Sequence, residues 1–197
     1  MKPTRRTLLK LVGAGAAAVV LTQLDARAPL PAPGARLVAL TPHEAAMVEA
    51  IGARIWPGSP SDPGAREAGT VRYIDLALAG ALAEHLDTYR RALRELDAAS
   101  RAQHRAPFAA LDDSEQDALL GALSLGHLAS VREGPAFFGL VRTHTLEGLF
   151  ADPLHGGNRD LAGWRAVGYP GPFYAIGPDE QQRSDESELP YQSLDDL

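Results

Sequence analysis

The residues able to do chemistry in this chain are six histidines and a scatter of carboxylates, and their spacing decides what they can do. Helical metal ligands usually recur at i, i+3 or i+4 with carboxylates close by. His144 and His155 stand eleven apart across a helix end, and His127 falls on a different element. Core or interface histidines are therefore expected, with His144 hydrogen-bonding a loop backbone. Asp112, Asp113, Asp152 and Asp160 form no convincing acid–base pair, because helix caps and turns already account for such positions. No Gly-x-Ser-x-Gly elbow offers a serine nucleophile. Gly156-Gly157 belongs to neither a Gly-x-Gly-x-x-Gly fingerprint nor a Gly-Lys-Ser/Thr phosphate loop. Cysteine is absent, which excludes a disulfide staple, a thiolate nucleophile, a covalent c-type haem and a Cys-ligated iron–sulfur cluster. No catalytic, cofactor-binding or metal-binding residue is expected.

The elements that position these residues read as helices. Thr41 caps the first, with Pro42 at its first position and Glu44 closing a capping box. Met47, Val48, Ile51 and Ile55 follow at helical spacing, and Trp56-Pro57 ends the run. Residues 58–69 carry prolines and acids and read as a loop. A long second helix is predicted over 71–100, where Ile74, Leu78, Leu82, His85, Tyr89, Leu93 and Leu96 form one seam. A third helix starts near Asp112 or Ser114 and carries Leu119, Leu120, Leu123, Leu128 and Val131. A fourth covers 135–150, with Phe137, Phe138, Leu140, Val141, Leu146 and Leu149. No alternating strand pattern of useful length occurs. The fold class is all-α, a small irregular helical bundle with long loops.

The loop of residues 155–171, HGGNRDLAGWRAVGYPG, has neither period. It combines glycines, which let backbones approach closely, with Arg159, Trp164 and Tyr169, side-chain types that anchor interfaces. A long irregular loop of this kind is usually functional. Arg159 and Asp160 read either as a local ion pair or as a free guanidinium for a partner's carboxylate. Trp164 reads as core or as interface.

With these residues in view, the chain closely resembles the small subunit (subunit 3, or gamma) of gluconate 2-dehydrogenase-type, membrane-associated flavin-dependent sugar dehydrogenases. The matching residues are Thr41-Pro42-His43-Glu44, Ile55-Trp56-Pro57, Pro63-Gly64-Ala65 and Tyr73-Ile74-Asp75. Further on they are Phe137-Phe138, Thr143-His144-Thr145, Gly148, Gly156-Gly157-Asn158-Arg159-Asp160, Trp164, Gly168 and Tyr169-Pro170-Gly171. The resemblance covers about residues 37–172, and Ala53 departs from it where such subunits often carry an acid. It implies a non-catalytic subunit of an oxidoreductase complex acting on CH–OH donors. Its partners would be a GMC-type FAD-dependent catalytic subunit, which carries FAD and for which an iron–sulfur cluster stays open, and a cytochrome c subunit. The expected partner interface is Phe137, Phe138, His144, Asn158, Arg159, Asp160, Trp164 and Tyr169. The alternative is a stand-alone periplasmic enzyme or small-ligand binder using residues 155–160.

Four regions follow: an export signal at 1–28, a linker at 29–40, the helical domain at 41–177 and an acidic tail at 178–197. Thr4-Arg5-Arg6-Thr7-Leu8-Leu9-Lys10 reads as a twin-arginine (Tat) signal, and Ala26-Arg27-Ala28 as its cleavage pattern. The apolar run between them spans roughly 21 Å at ~1.5 Å per residue, short of the ~30 Å hydrocarbon core. A periplasmic protein is expected, reaching the membrane through its complex, with an uncleaved N-terminal anchor as the alternative. The net charge is −6, and the signal holds +5 − 1 = +4, which leaves −6 − 4 = −10. That balance disfavours nucleic acid. Both lysines lie within the signal, so no Schiff base is available afterwards. The tail reads as a disordered solubilising segment or as a strap that orders on a partner. The chain shows no cofactor motif of its own to explain the signal, and the resemblance implies that the signal serves the catalytic partner through the Tat translocase.

Overall fold

The computed structural model describes residues 36–59, 61–172 and 190–196. The expected export signal and most of the linker and acidic tail lie outside them. Six α-helices occur among the described residues: α1 (Pro42–Ile55), α2 (Thr70–Ala79), α3 (Leu86–His104), α4 (Asp113–Ser124), α5 (Gly134–Phe150) and α6 (Ala162–Val167). The only β-contact described is an isolated bridge between Ser59 and Asp62. No helix among the described residues is long and apolar enough to cross a membrane.

Helix α1 begins as its sequence dictates. Thr41 accepts the Glu44 N–H at 3.2 Å, and the Thr41 N–H donates to Glu44 Oε2 at 2.8 Å. Asp112 and Glu115 repeat this reciprocal cap on α4. The single helix expected over 71–100 is instead two. Helix α2 stops at Gly80, a 3-10 turn covers Ala83–His85, and α3 restarts at Leu86. The apolar seam stays in phase across the break, so periodicity alone does not reveal it. Leu128 and Val131 are buried, as their hydropathy requires, but they lie in the connection beyond α4 rather than on the helix.

Helix α5 is the axis of the bundle and touches every other helix described. Around it pack Met47, Ile51, Ile74, Leu78, Tyr89, Leu93, Leu96, Phe108 and Leu123, each nearly or wholly removed from water. Two buried carboxylates tie irregular backbone to this core. Asp75 accepts the N–H groups of Val38, Ala39 and Leu40 at 2.9–3.1 Å and is paired with Arg72 at 2.9 Å. Asp97 accepts the Phe108 N–H at 2.9 Å and pairs with Arg101 at 3.0 Å and His43 at 3.2 Å. Burial opposes ionisation of Asp97, yet these bonds together hold its carboxyl below the usual range.

Candidate functional site

Residues 155–171 form a flap over the C-terminal end of α5, and the geometry follows from what a helix end lacks. The last carbonyls of an α-helix have no partner inside the helix. Here the flap supplies them. The Asn158 N–H donates to Gly148 O at 2.8 Å, its Nδ2 to Ala151 O at 2.9 Å, and Trp164 Nε1 to Phe150 O at 2.7 Å. Asn158 Oδ1 then accepts the Gly163 N–H at 2.8 Å, which fixes the start of α6. Asn158 is 0% exposed and sits at φ 46°, a left-handed conformation that asparagine tolerates better than most residues.

Such close approach needs glycine. A Cβ on Gly157 would collide with the Gly148 carbonyl, and one on Gly163 with the Leu149 carbonyl. On the other side, the Arg159 N–H donates to Ala68 O at 2.9 Å and the Arg159 guanidinium lies across Gly69. The flap is therefore bound to both α5 and the start of α2. Asp152 adds a further tie: Oδ1 accepts the Leu154 N–H at 3.1 Å, and Oδ2 accepts the Leu194 N–H at 2.8 Å. The Gln192 N–H donates to Pro170 O at 2.9 Å, and Arg165 stands over the Tyr191 ring at 5.3 Å. Residues 190–196 of the expected tail thus pack back onto the chain's own flap.

The eight expected interface residues do not form one surface. Phe137 and His144 lie inside the bundle, and Asn158 and Trp164 inside the flap. Phe137 packs edge-on to Tyr89 at 5.4 Å. His144 does not bond a loop backbone: its Nδ1 meets the Tyr89 hydroxyl at 2.9 Å, and the two rings stack. Burial, helped by nearby His85, pushes His144 down to about 4. Burial also pushes Tyr89 well up, and raises Glu147 against the opposing hydrogen bond from Tyr73. Trp164 is core to the flap, edge-on to Tyr169 at 5.1 Å. Phe138 is half-buried in a groove between α1, α4 and α5. Only Arg159, Asp160 and Tyr169 are exposed, and no ion pair joins Arg159 to Asp160. Asp160 and the following Leu161 both hold left-handed backbone, at φ 55° and 57°. Strain of this kind persists only where the surroundings enforce it.

His155 is 5% exposed and neither of its ring nitrogens has a partner. Burial lowers its pKa, with Asp152 acting the other way. Among the described residues no group of three His, Asp or Glu side chains is arranged to hold a metal ion. The roles of Asp75 and Asp152 as backbone clamps went unassigned from sequence. Asp152 was legible as a cap, but nothing in its neighbours pointed to residue 194.

A family model described as gluconate 2-dehydrogenase subunit 3 matches residues 42–171, from the first residue of α1 to the final glycine of the flap. No curated protein and no solved structure gives a match. The family match takes in bundle and flap together, 171 − 42 + 1 = 130 of 197 residues. The chain therefore belongs to the gluconate 2-dehydrogenase subunit 3 family, a subunit type of a multi-subunit dehydrogenase.

Proposed function

We propose that this chain is the non-catalytic small subunit of a periplasmic FAD-dependent dehydrogenase that oxidises a sugar, sugar acid or polyol. Its work is to bind the flavin-bearing GMC-type catalytic subunit, stabilise it, and carry it through the twin-arginine route. A separate cytochrome c subunit then takes the electrons. The observation that carries this reading is how the flap spends its polar groups. Asn158, Trp164 and Asp152 are consumed in shaping the flap, whereas Arg159, Asp160 and Tyr169 are exposed on that rigid base. Tyr169 is 45% exposed and Leu194, on the adjoining strap, 37%, so an aromatic, an aliphatic and two charges without an ion pair among the described residues share one end of the molecule. Such a mixture suits protein recognition, in which aromatic and arginine anchors dominate.

The test is co-expression of the catalytic subunit with and without this chain, with periplasmic flavin-dependent activity measured. Activity should collapse when the chain is omitted. Undiminished activity in its absence would overturn the escort role.

A further inference from the structure

The strap of residues 190–196 meets the flap along an edge made of acceptors. Pro170 and Pro172 have no N–H and offer carbonyls alone, and Asp152 adds a carboxylate oxygen. Three donors of the strap fill this edge. The Gln192 N–H reaches Pro170 O at 2.9 Å, its Nε2 reaches Pro172 O at 3.0 Å, and the Leu194 N–H reaches Asp152 Oδ2 at 2.8 Å. Ser193, between them, turns away. Its N–H and hydroxyl donate to Asp196 Oδ2 at 2.7 and 3.0 Å, which closes the strap on itself. Alternate main-chain donors thus face the flap, the register in which an extended peptide is read along an edge.

Side chains add selectivity to this register. Tyr191 lies under the Arg165 guanidinium, and Ser193, only 7% exposed, occupies a place suited to a small residue. The Gln192 carbonyl presses where a Cβ on Gly171 would stand, so the seat also depends on a glycine. Yet the strap is held from outside. None of residues 190–196 joins the hydrophobic clusters of the bundle or flap, and Leu194, Asp195 and Asp196 are exposed. A segment held by a few peripheral hydrogen bonds, with little apolar burial, opens without the body unfolding.

We propose that this edge of the flap is a recognition site for an extended peptide, and that residues 190–196 are its built-in, displaceable occupant. The site reads an aromatic ring, a glutamine next to it, a small residue after that, and free N–H groups at two alternate positions. It goes beyond the subunit function proposed above and does not depend on it. Tethering gives the strap a high local concentration, which keeps the edge filled against the same segment in free solution.

The test uses the full chain and a fluorescent peptide of residues 190–196, with binding read by anisotropy. Gln192→Pro/Leu194→Pro deletes the two main-chain donors of the strap and leaves every flap residue unchanged. This variant should bind the peptide about tenfold or more tighter than the parent chain, whose edge is filled. Adding Arg165→Ala should weaken that binding, and a peptide carrying Tyr191→Ala and Gln192→Ala should bind about tenfold more weakly. Equal or absent peptide binding in parent and variant would overturn the site, as would undiminished binding of the altered peptide. Hydrogen exchange on the parent chain gives a check that needs no variant. The Gln192 and Leu194 amides should exchange together, and faster than those of α5. Exchange in step with α5 would make the strap part of the core and overturn its displacement. A parent dimer that the peptide splits would make the occupant the strap of a second copy, and the built-in arrangement would fall.

Discussion

The bundle and the flap are held by opposite means. In the bundle, large side chains such as Met47, Tyr89, Leu96 and Phe108 exclude water around α5, and stability is spread over many contacts. In the flap, backbone lies against backbone, and single hydrogen bonds from Asn158 and Trp164 close a helix end. The first arrangement tolerates reshaping of any one member. The second has no slack, because each contact is both close and unique. The exposed Arg159 and Tyr169 are carried on the second.

The largest expected effect tests this difference with one substitution at two sites. Gly163→Ala drives a methyl into the Leu149 carbonyl and should cost about 4 kcal/mol or more, or release the flap from α5. Gly121→Ala on the bundle surface has open space and should stabilise by about 0.5–1 kcal/mol. Urea melts of both, with hydrogen exchange at residues 155–171, decide it. Equal effects would remove the distinction. Next, Asn158→Ala leaves the Gly163 N–H and the Ala151 carbonyl unpaired in a buried place, at a cost of about 2–4 kcal/mol. Limited proteolysis should then cut first inside the flap. Cutting first in the bundle would show that Asn158 is not its staple.

The smallest effect belongs to the bundle and follows pH. Folded His144 titrates at about 4, below its ordinary value of 6.5, so the unfolded chain takes up a proton that the folded chain refuses. Its contribution is complete above pH 6.5 and is lost as pH falls toward 4, by up to about 3 kcal/mol if it acted alone. His155 has the same sign. Glu147, one turn along α5, has a raised pKa and opposes them, since its buried neutral form favours folding at low pH. The net fall should therefore be modest, and His144→Asn should flatten it. An equally steep profile in that variant would place the titration elsewhere.

Much of this architecture was legible because local chemistry dictated it. The Thr41–Glu44 box and the Asp112 cap announced two helices, and Phe150 closed a third. Gly80 defeated the pattern because the seam from Ile74 to Leu96 continues in step across the break. The flap was recognisable as special from its glycines and aromatics, yet its residues divide by function in a way that composition hides. Asn158 and Trp164 look like partner-binding side chains until α5 is placed beside them with its carbonyls unpaired. Arg159 and Asp160, neighbours in sequence, part company because one crosses Gly69 and the other takes left-handed backbone. The tie from Asp152 to Leu194 spans 42 positions, a distance over which sequence carries no local signal.

That tie has a consequence for the order of events during synthesis. The contacts of Gln192 with Pro170 and of Leu194 with Asp152 cannot form while residues 190–196 are still inside the ribosome. At about 5–20 residues per second, the twenty-odd positions after Gly171 delay completion by roughly one to five seconds. The bundle can therefore form before residues 190–196 latch onto the flap.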